Sequence, residues 1–304
     1  MARSVTTPKT AAPNDGAIRL IAIDIDGTLL NREGHIPEAN HQAIQNATAT
    51  GIEVVLATGR TFHHACPIAE RLGTPLILIV SNGALVKRSD GQTLACRLIP
   101  RHLARDLVVA TRPVREGAAL IFDRSDASQY IYERIDWAHP QRAWYYERNK
   151  VYMTAVESLE VVLDEGPLQL AFNGGVAEMR TLAGHVRKLE SARNLTLTLT
   201  EYEQRDFSLL DITAAGCSKG ATLADWASRR KIRPAEIMAV GDNLNDLEML
   251  QFVGHPVVMG NAVPKLKEMA KKNGWLATAD YEHDGLAQAI KIHMSKNRPA
   301  PATS

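Results

Sequence analysis

Cysteine is scarce in this chain. Cys66, Cys96 and Cys217 are the only three, widely separated and without the spacing of a metal-binding cluster. That excludes a disulfide framework and predicts reduced thiols in a cytoplasmic protein. Long apolar runs are missing too: nothing approaches the roughly 18 consecutive apolar residues of a membrane span. Charge of one sign is not in excess, with a net value of +1, so neither a membrane nor a nucleic acid is expected as the main partner. No internal repeat is found. Aromatic residues are only 5% of the chain, and most of the Tyr and Trp fall between residues 130 and 202.

What is present is an ordinary globular composition, 45% hydrophobic and 23% charged over 304 residues, enough for one large or two medium domains. Residues 1–16, rich in Ala, Thr, Pro and Asn, are expected to be a disordered leader, and 296–304 a flexible tail.

The stretch Leu20–Ile23 has the length and branching of a strand buried on both faces, and it runs into Asp24-Ile25-Asp26-Gly27-Thr28. Two acids at the carboxyl end of such a strand stand where open parallel sheets place their ligand crevice. If the strand continued through Asp26, both carboxylates would point the same way, and a hard divalent ion such as Mg²⁺ would relieve the repulsion. An Asp-x-Asp-Gly can also be a solvated turn.

Three later stretches have the same form, an apolar strand that ends in chemistry. Ile52–Ala57 ends in Thr58-Gly59-Arg60, which can offer a hydroxyl and a backbone N–H to a phosphate oxygen, or simply cap a helix. Arg60 can reach a substrate or pair with a core acid. Pro75–Val80 ends in Ser81-Asn82-Gly83-Ala84, in which Asn-Gly alone would suggest a type I′ turn. Ile237–Val240 ends in Gly241-Asp242-Asn243-Leu244-Asn245-Asp246, whose two acids, four residues apart, can turn toward one cation. Lys219, opening a helix that runs to about Arg230, can neutralise a phosphate or sit exposed, the usual place for a lysine.

Between about 86 and 209 the pattern changes. Gln129–Glu133 and Leu195–Tyr202 alternate as half-open antiparallel strands do, and Pro100–Arg112 and Val176–Ala192 have helical spacing. This segment is expected to be a separate α+β domain inserted into a core of 17–85 and 210–295, with Phe207–Thr213 returning to that core. It contains Tyr130, Tyr132, Trp137, Trp144, Tyr145, Tyr146, Tyr152 and Tyr202, most of them expected to pack its interior and one or two to face a substrate.

In this order the motifs resemble the four motifs of the haloacid dehalogenase superfamily of phosphotransferases, and more closely its Cof-type, class IIB members. Met259-Gly260-Asn261-Ala262 and Asp284-Gly285 are also similar to that group. The resemblance implies an α/β fold, a Rossmann-like core with a parallel sheet and an inserted cap of the C2 type. It implies Asp24 as nucleophile and Asp26 as general acid and base, with Mg²⁺ held by Asp24, the Asp26 carbonyl and Asp242. Asp246 would ligate directly or orient a metal-bound water. Thr58, Gly59, Lys219, Asn245 and Arg60 would surround the phosphoryl group. The implied activity is hydrolysis of a small phosphorylated metabolite, of the sugar phosphate, flavin mononucleotide or pyridoxal phosphate class. A phosphomutase, or a non-catalytic binding protein on the same fold, is the alternative. The substrate and the oligomeric state are not legible.

Overall fold

The structure is a computed structural model and describes residues 17–114, 116–138 and 140–296; the expected leader and the tail from 297 lie outside the described residues. The first half of the core runs β1 (Leu20–Ile23), α1 (Glu38–Ala49), β2 (Glu53–Ala57), α2 (Phe62–Arg71), β3 (Ile77–Val80), β4 (Leu85–Arg88) and β5 (Thr93–Cys96). The inserted part holds α3 (Arg101–Ala110), β6 (Ala118–Ile121), β7 (Tyr130–Tyr132), α4 (Pro140–Asn149), β8 (Met153–Ala155), β9 (Gln169–Gly174), α5 (Val176–Val186), β10 (Leu195–Tyr202) and β11 (Phe207–Ala214). The chain then completes the core with α6 (Lys219–Arg229), β12 (Ile237–Gly241), α7 (Leu247–Phe252), β13 (His255–Val258), α8 (Pro264–Asn273), β14 (Leu276–Ala277) and α9 (Gly285–Lys296).

The core sheet has the order β14-β13-β12-β1-β2-β3-β4-β5, parallel from β14 to β3 and antiparallel at β4 and β5. Its interior strands read as unbroken apolar runs because both faces are covered. Along β1, Ile21 and Ile23 pack with α1, α2 and α9, whereas Leu20 and Ala22 pack with α6, α7 and α8. β2 divides the same way, Val54 and Leu56 to one side and Val55 and Ala57 to the other. The strands β12, β1 and β2 are in register, with Ile23 opposite both Val240 and Leu56. Their carboxyl ends are therefore level, and the residues that follow them share one crevice.

The second sheet, β10-β11-β9-β6-β7-β8, is antiparallel except between β7 and β8. One face is dry: Leu210 and Ile212 of β11 and Leu170 and Phe172 of β9 pack against Leu107 of α3 and Met179 and Leu182 of α5. The other face covers the core crevice.

Two boundaries differ from expectation. β4 and β5 lie in the core sheet, because they extend its free edge by antiparallel pairing on β3. β11 lies inside the cap sheet, between β10 and β9, rather than returning to the core. Its sequence FSLLDITA is nearly continuous in apolar residues because a central strand is covered on both faces whichever sheet it joins. The helix expected over Val176–Ala192 stops at Val186 and gives way to a short turn, Glu190–Asn194. The three cysteines are unpaired. Among the described residues no helix is long and apolar enough to cross a membrane.

Candidate active site

Asp24 follows β1, Thr58 follows β2 and Asp242 follows β12, so the parallel sheet itself gathers them. Lys219, the first residue of α6, brings its Nζ to 2.6 Å from Asp24 Oδ1 and 2.7 Å from Asp246 Oδ1. All three side chains are almost fully buried, at 2% for Lys219, 5% for Asp24 and 0% for Asp246. Burial opposes the charge on Lys219, but its two carboxylate partners outweigh that and hold its pKa above the usual lysine range.

Asp24, Asp242 and Asp246 each place a carboxylate oxygen within 4.8 Å of the others. Burial pushes Asp24 up to about 7, against the pull of Lys219 and with the repulsion of Asp246 and Asp26 added. Asp242 is raised well above the carboxylate range by burial, then by Asp24 and Asp246. Three converging acids answered by one lysine fit a hard divalent cation, since every donor is oxygen. Around Asp242, Asn261 Nδ2 donates to the Gly27 carbonyl at 2.8 Å and lies 3.4 Å from Asp242 Oδ2, while Thr28 Oγ1 lies 3.4 Å from Asp242 Oδ1. Asp246 Oδ2 accepts from the backbone N–H groups of Asp242 and Asn243, both at 3.0 Å, so this residue fixes the loop as well as Lys219.

Asp26 does not join that group. β1 ends at Ile23, and Gly27 at φ +84° turns the chain, so the two acids do not share a strand face. The Asp26 carboxylate instead forms a two-pronged pair with Arg60, Nε to Oδ2 at 2.7 Å and Nη2 to Oδ1. Burial alone would raise the pKa of Asp26; the hydrogen bonds and charge of Arg60 outweigh it and lower the pKa. Of the two roles open to Arg60, pairing with a core acid is the one seen.

Thr58 is buried, and its Oγ1 accepts from the Arg60 N–H at 3.1 Å, leaving the hydroxyl proton free to donate. Thr58, Gly59 and Asn245 line a cavity of about 180 Å³ that also contains Asp24, Asp26 and Lys219. The roof of this cavity is the wet face of the cap sheet. Phe207, Leu209 and Asp211 alternate into it along β11, with Thr200 and Tyr202 from β10 and Gln169 from β9.

Asp211 is buried and ties cap to core. Its Oδ2 accepts from Asn82 Nδ2 at 2.8 Å and its Oδ1 from Gln169 Nε2 at 2.6 Å, while burial pushes its pKa up to about 7. Asn82 sits in a tight turn with Ser81 and Asn82 at positive φ, followed by Gly83 at φ +92°, where a Cβ would meet the Ser218 carbonyl at 2.3 Å. That close approach brings Lys219 beneath the turn. Asn82 (φ 51°, ψ 36°) and Gly83 form the expected type I′ turn, closed by the Ala84 N–H donating to the Ser81 carbonyl at 3.1 Å.

Among the aromatic residues, Tyr130, Tyr145 and Tyr202 line the cavity, more than the one or two expected. Tyr132, Trp137 and Tyr146 pack on one another, with Trp137 stacked on Tyr146 at 4.9 Å and edge-on to Tyr132 at 5.2 Å. The Trp144 side chain lies outside the description. The residues missed from sequence are Asp211, Gln169 and Arg148; Asn261 is singled out there only as support for the fold. The alternation of Phe207, Leu209 and Asp211 was the available signal for the first.

The profile of the haloacid dehalogenase-like hydrolases matches residues 21–290. An HMP-PP phosphatase of Serratia proteamaculans is 31% identical over 253 residues, 83% of this chain and 87% of that protein. A 5-amino-6-(5-phospho-D-ribitylamino)uracil phosphatase of Bacillus subtilis is 30% identical, covering 91% of this chain and 96% of that one. The fold is also that of a phosphatase of the haloalkanoate (HAD) enzyme superfamily from Bacteroides thetaiotaomicron, with a TM-score of 0.74 at 24% identity over 91% of this chain and 96% of that one. The chain therefore belongs to the haloacid dehalogenase-like hydrolases and is a hydrolase of phosphoric monoesters.

Proposed function

We propose that this protein is a Mg²⁺-dependent phosphatase of small phosphomonoesters that works through an aspartyl-phosphate on Asp24. The observation that carries this reading is the division of labour between the two acids. Asp24 lies buried against Lys219 beside Asp242 and Asp246, whereas Asp26 stands apart on Arg60.

Phosphoryl transfer requires in-line positioning and neutralisation of spread charge. In the first step a carboxylate oxygen of Asp24 forms a bond to phosphorus as the ester oxygen leaves, taking a proton from Asp26. In the second, Asp26 takes a proton from water, whose oxygen attacks the phosphorus, and Asp24 is released with inorganic phosphate. The Arg60 pair favours ionised Asp26, the form the second step uses. A dianionic phosphate bound beside it favours the protonated form the first step uses. Thr58 Oγ1, the Gly59 N–H, Asn245 and Lys219 would hold the phosphoryl oxygens. Asp24, Asp242 and the Asp26 carbonyl would hold Mg²⁺, with Asp246 behind them. Bound there, the ion supplies positive charge between nucleophile and phosphate.

The relatives' names place ring-bearing compounds among substrates of similar proteins, and Tyr145 and Tyr202 in the cavity suit a ring. The test is phosphate release from sugar phosphates, flavin mononucleotide, pyridoxal phosphate and pyrimidine phosphates, each with Mg²⁺ and with a chelator. Metal-dependent release from a related subset is expected. No release from any, by folded protein, would overturn the reading in favour of a mutase or a binding role.

A further inference from the structure

Two arginines of the cavity have no part in the chemistry above. Arg148 lies in the last turn of α4 and Arg205 in the turn Glu203–Arg205 between β10 and β11, and both side chains line the cavity. The other cations of the site are each matched by a carboxylate, Lys219 by Asp24 and Asp246, and Arg60 by Asp26. Among the described residues, Arg148 and Arg205 have no such match. The acids near them in sequence are engaged elsewhere: Glu147 pairs with Lys150, Glu203 pairs with Arg180, and Asp206 accepts from the Val176 N–H.

The position of Arg148 gives the vacancy a direction. Arg148 and Arg205 both come from the cap and line the same cavity as Asp26, so they face the leaving part of a substrate whose phosphoryl group is held by the core. The transferring phosphoryl group has its own donors from the core, in Thr58, Asn245 and Lys219. Two guanidinium groups that line one cavity, neither with a carboxylate partner among the described residues, suit an anionic ligand.

Resting on the phosphatase reading, we propose that Arg148, assisted by Arg205, binds a second anionic group, a phosphate or a carboxylate, carried on the leaving part of the substrate. The preferred substrate therefore has two anionic groups, and Arg148 sets that preference.

Matched pairs of substrates test this with the full chain and Mg²⁺: benzyl phosphate against benzyl diphosphate, and glycerol 3-phosphate against 3-phosphoglycerate. The wild-type protein should favour the doubly anionic member of at least one pair by roughly tenfold to hundredfold in kcat/KM, the span of one charged hydrogen bond. The pair that shows it distinguishes phosphate from carboxylate. In Arg148→Gln that ratio should fall toward one, mainly through KM. Arg148→Lys should restore part of it, and Arg205→Gln should reduce it less. Benzyl phosphate hydrolysed without preference in either pair, or a ratio unchanged in Arg148→Gln, would overturn the proposal and leave the phosphatase reading standing. No hydrolysis of any substrate would overturn both.

Discussion

At pH 8 the substitution Asp211→Asn should stabilise this protein, although it alters a buried residue with two hydrogen-bond partners. Burial raises the Asp211 pKa from its ordinary 3.8 to about 7 despite the amides of Gln169 and Asn82. Below pH 3.8 the carboxyl is protonated in both folded and unfolded chains, and the group adds no pH dependence. Between 3.8 and 7 the unfolded chain loses the proton and the folded chain keeps it. Folding then binds a proton, and stability falls as pH rises until the folded form also ionises near 7. At about 1.4 kcal/mol per pH unit, the interval from 3.8 to about 7 costs about 4 kcal/mol in total, and the part between pH 5 and pH 8 is about 3 kcal/mol. Asparagine removes this dependence. Its NH₂ finds an acceptor if one neighbouring amide turns over, because Asn82 Oδ1 and Gln169 Oε1 have no other partner. Urea unfolding of both proteins at pH 5, 6, 7 and 8 measures the difference directly. The variant should gain on the wild type by about 3 kcal/mol across that range, with the curve flattening above pH 7. A difference constant to within about 0.5 kcal/mol would refute the reasoning, because it would mean that Asp211 is not enclosed between cap and core.

Asp24→Ser should leave the fold intact by circular dichroism and reduce turnover by about 10³-fold or more, as expected when a nucleophile is deleted; substantial residual turnover would exclude the covalent route. Gly27→Ala tests the metal site from the backbone. Gly27 has φ +84° and its Cβ would fall 2.3 Å from Asp242 Oδ2, so Asp242 must move. The Mg²⁺ concentration giving half-maximal activity should rise about tenfold or more, in line with lost support of a ligating carboxylate; an unchanged Mg²⁺ requirement would show that Asp242 is not a ligand.

The sequence by itself determined the parts of this protein in which local chemistry and chain position coincide. Leu20–Ile23 could only be a doubly covered strand, and the polar residues after such strands, Asp24, Thr58 and Asp242, gather wherever parallel strands align their carboxyl ends. Lys219 was legible only through its place among the family's motifs, since a lysine that opens a helix is more often exposed, and it was folding that buried it between Asp24 and Asp246. Tertiary structure decided what depends on register and on the approach of distant segments. Asp26 was separated from Asp24 by a backbone turn, and Arg60 was given a partner 34 residues away. Asn261 acquired its place beside Asp242 only when β13 paired with β12. The cap residues were the least legible. A strand such as FSLLDITA carries two faces with a period of two, and nothing in its own sequence says which sheet it joins or which face looks onto the core. Pairing with β9 and β10 settled both questions at once, turning Leu210 and Ile212 into the dry interior and Asp211 toward Asn82.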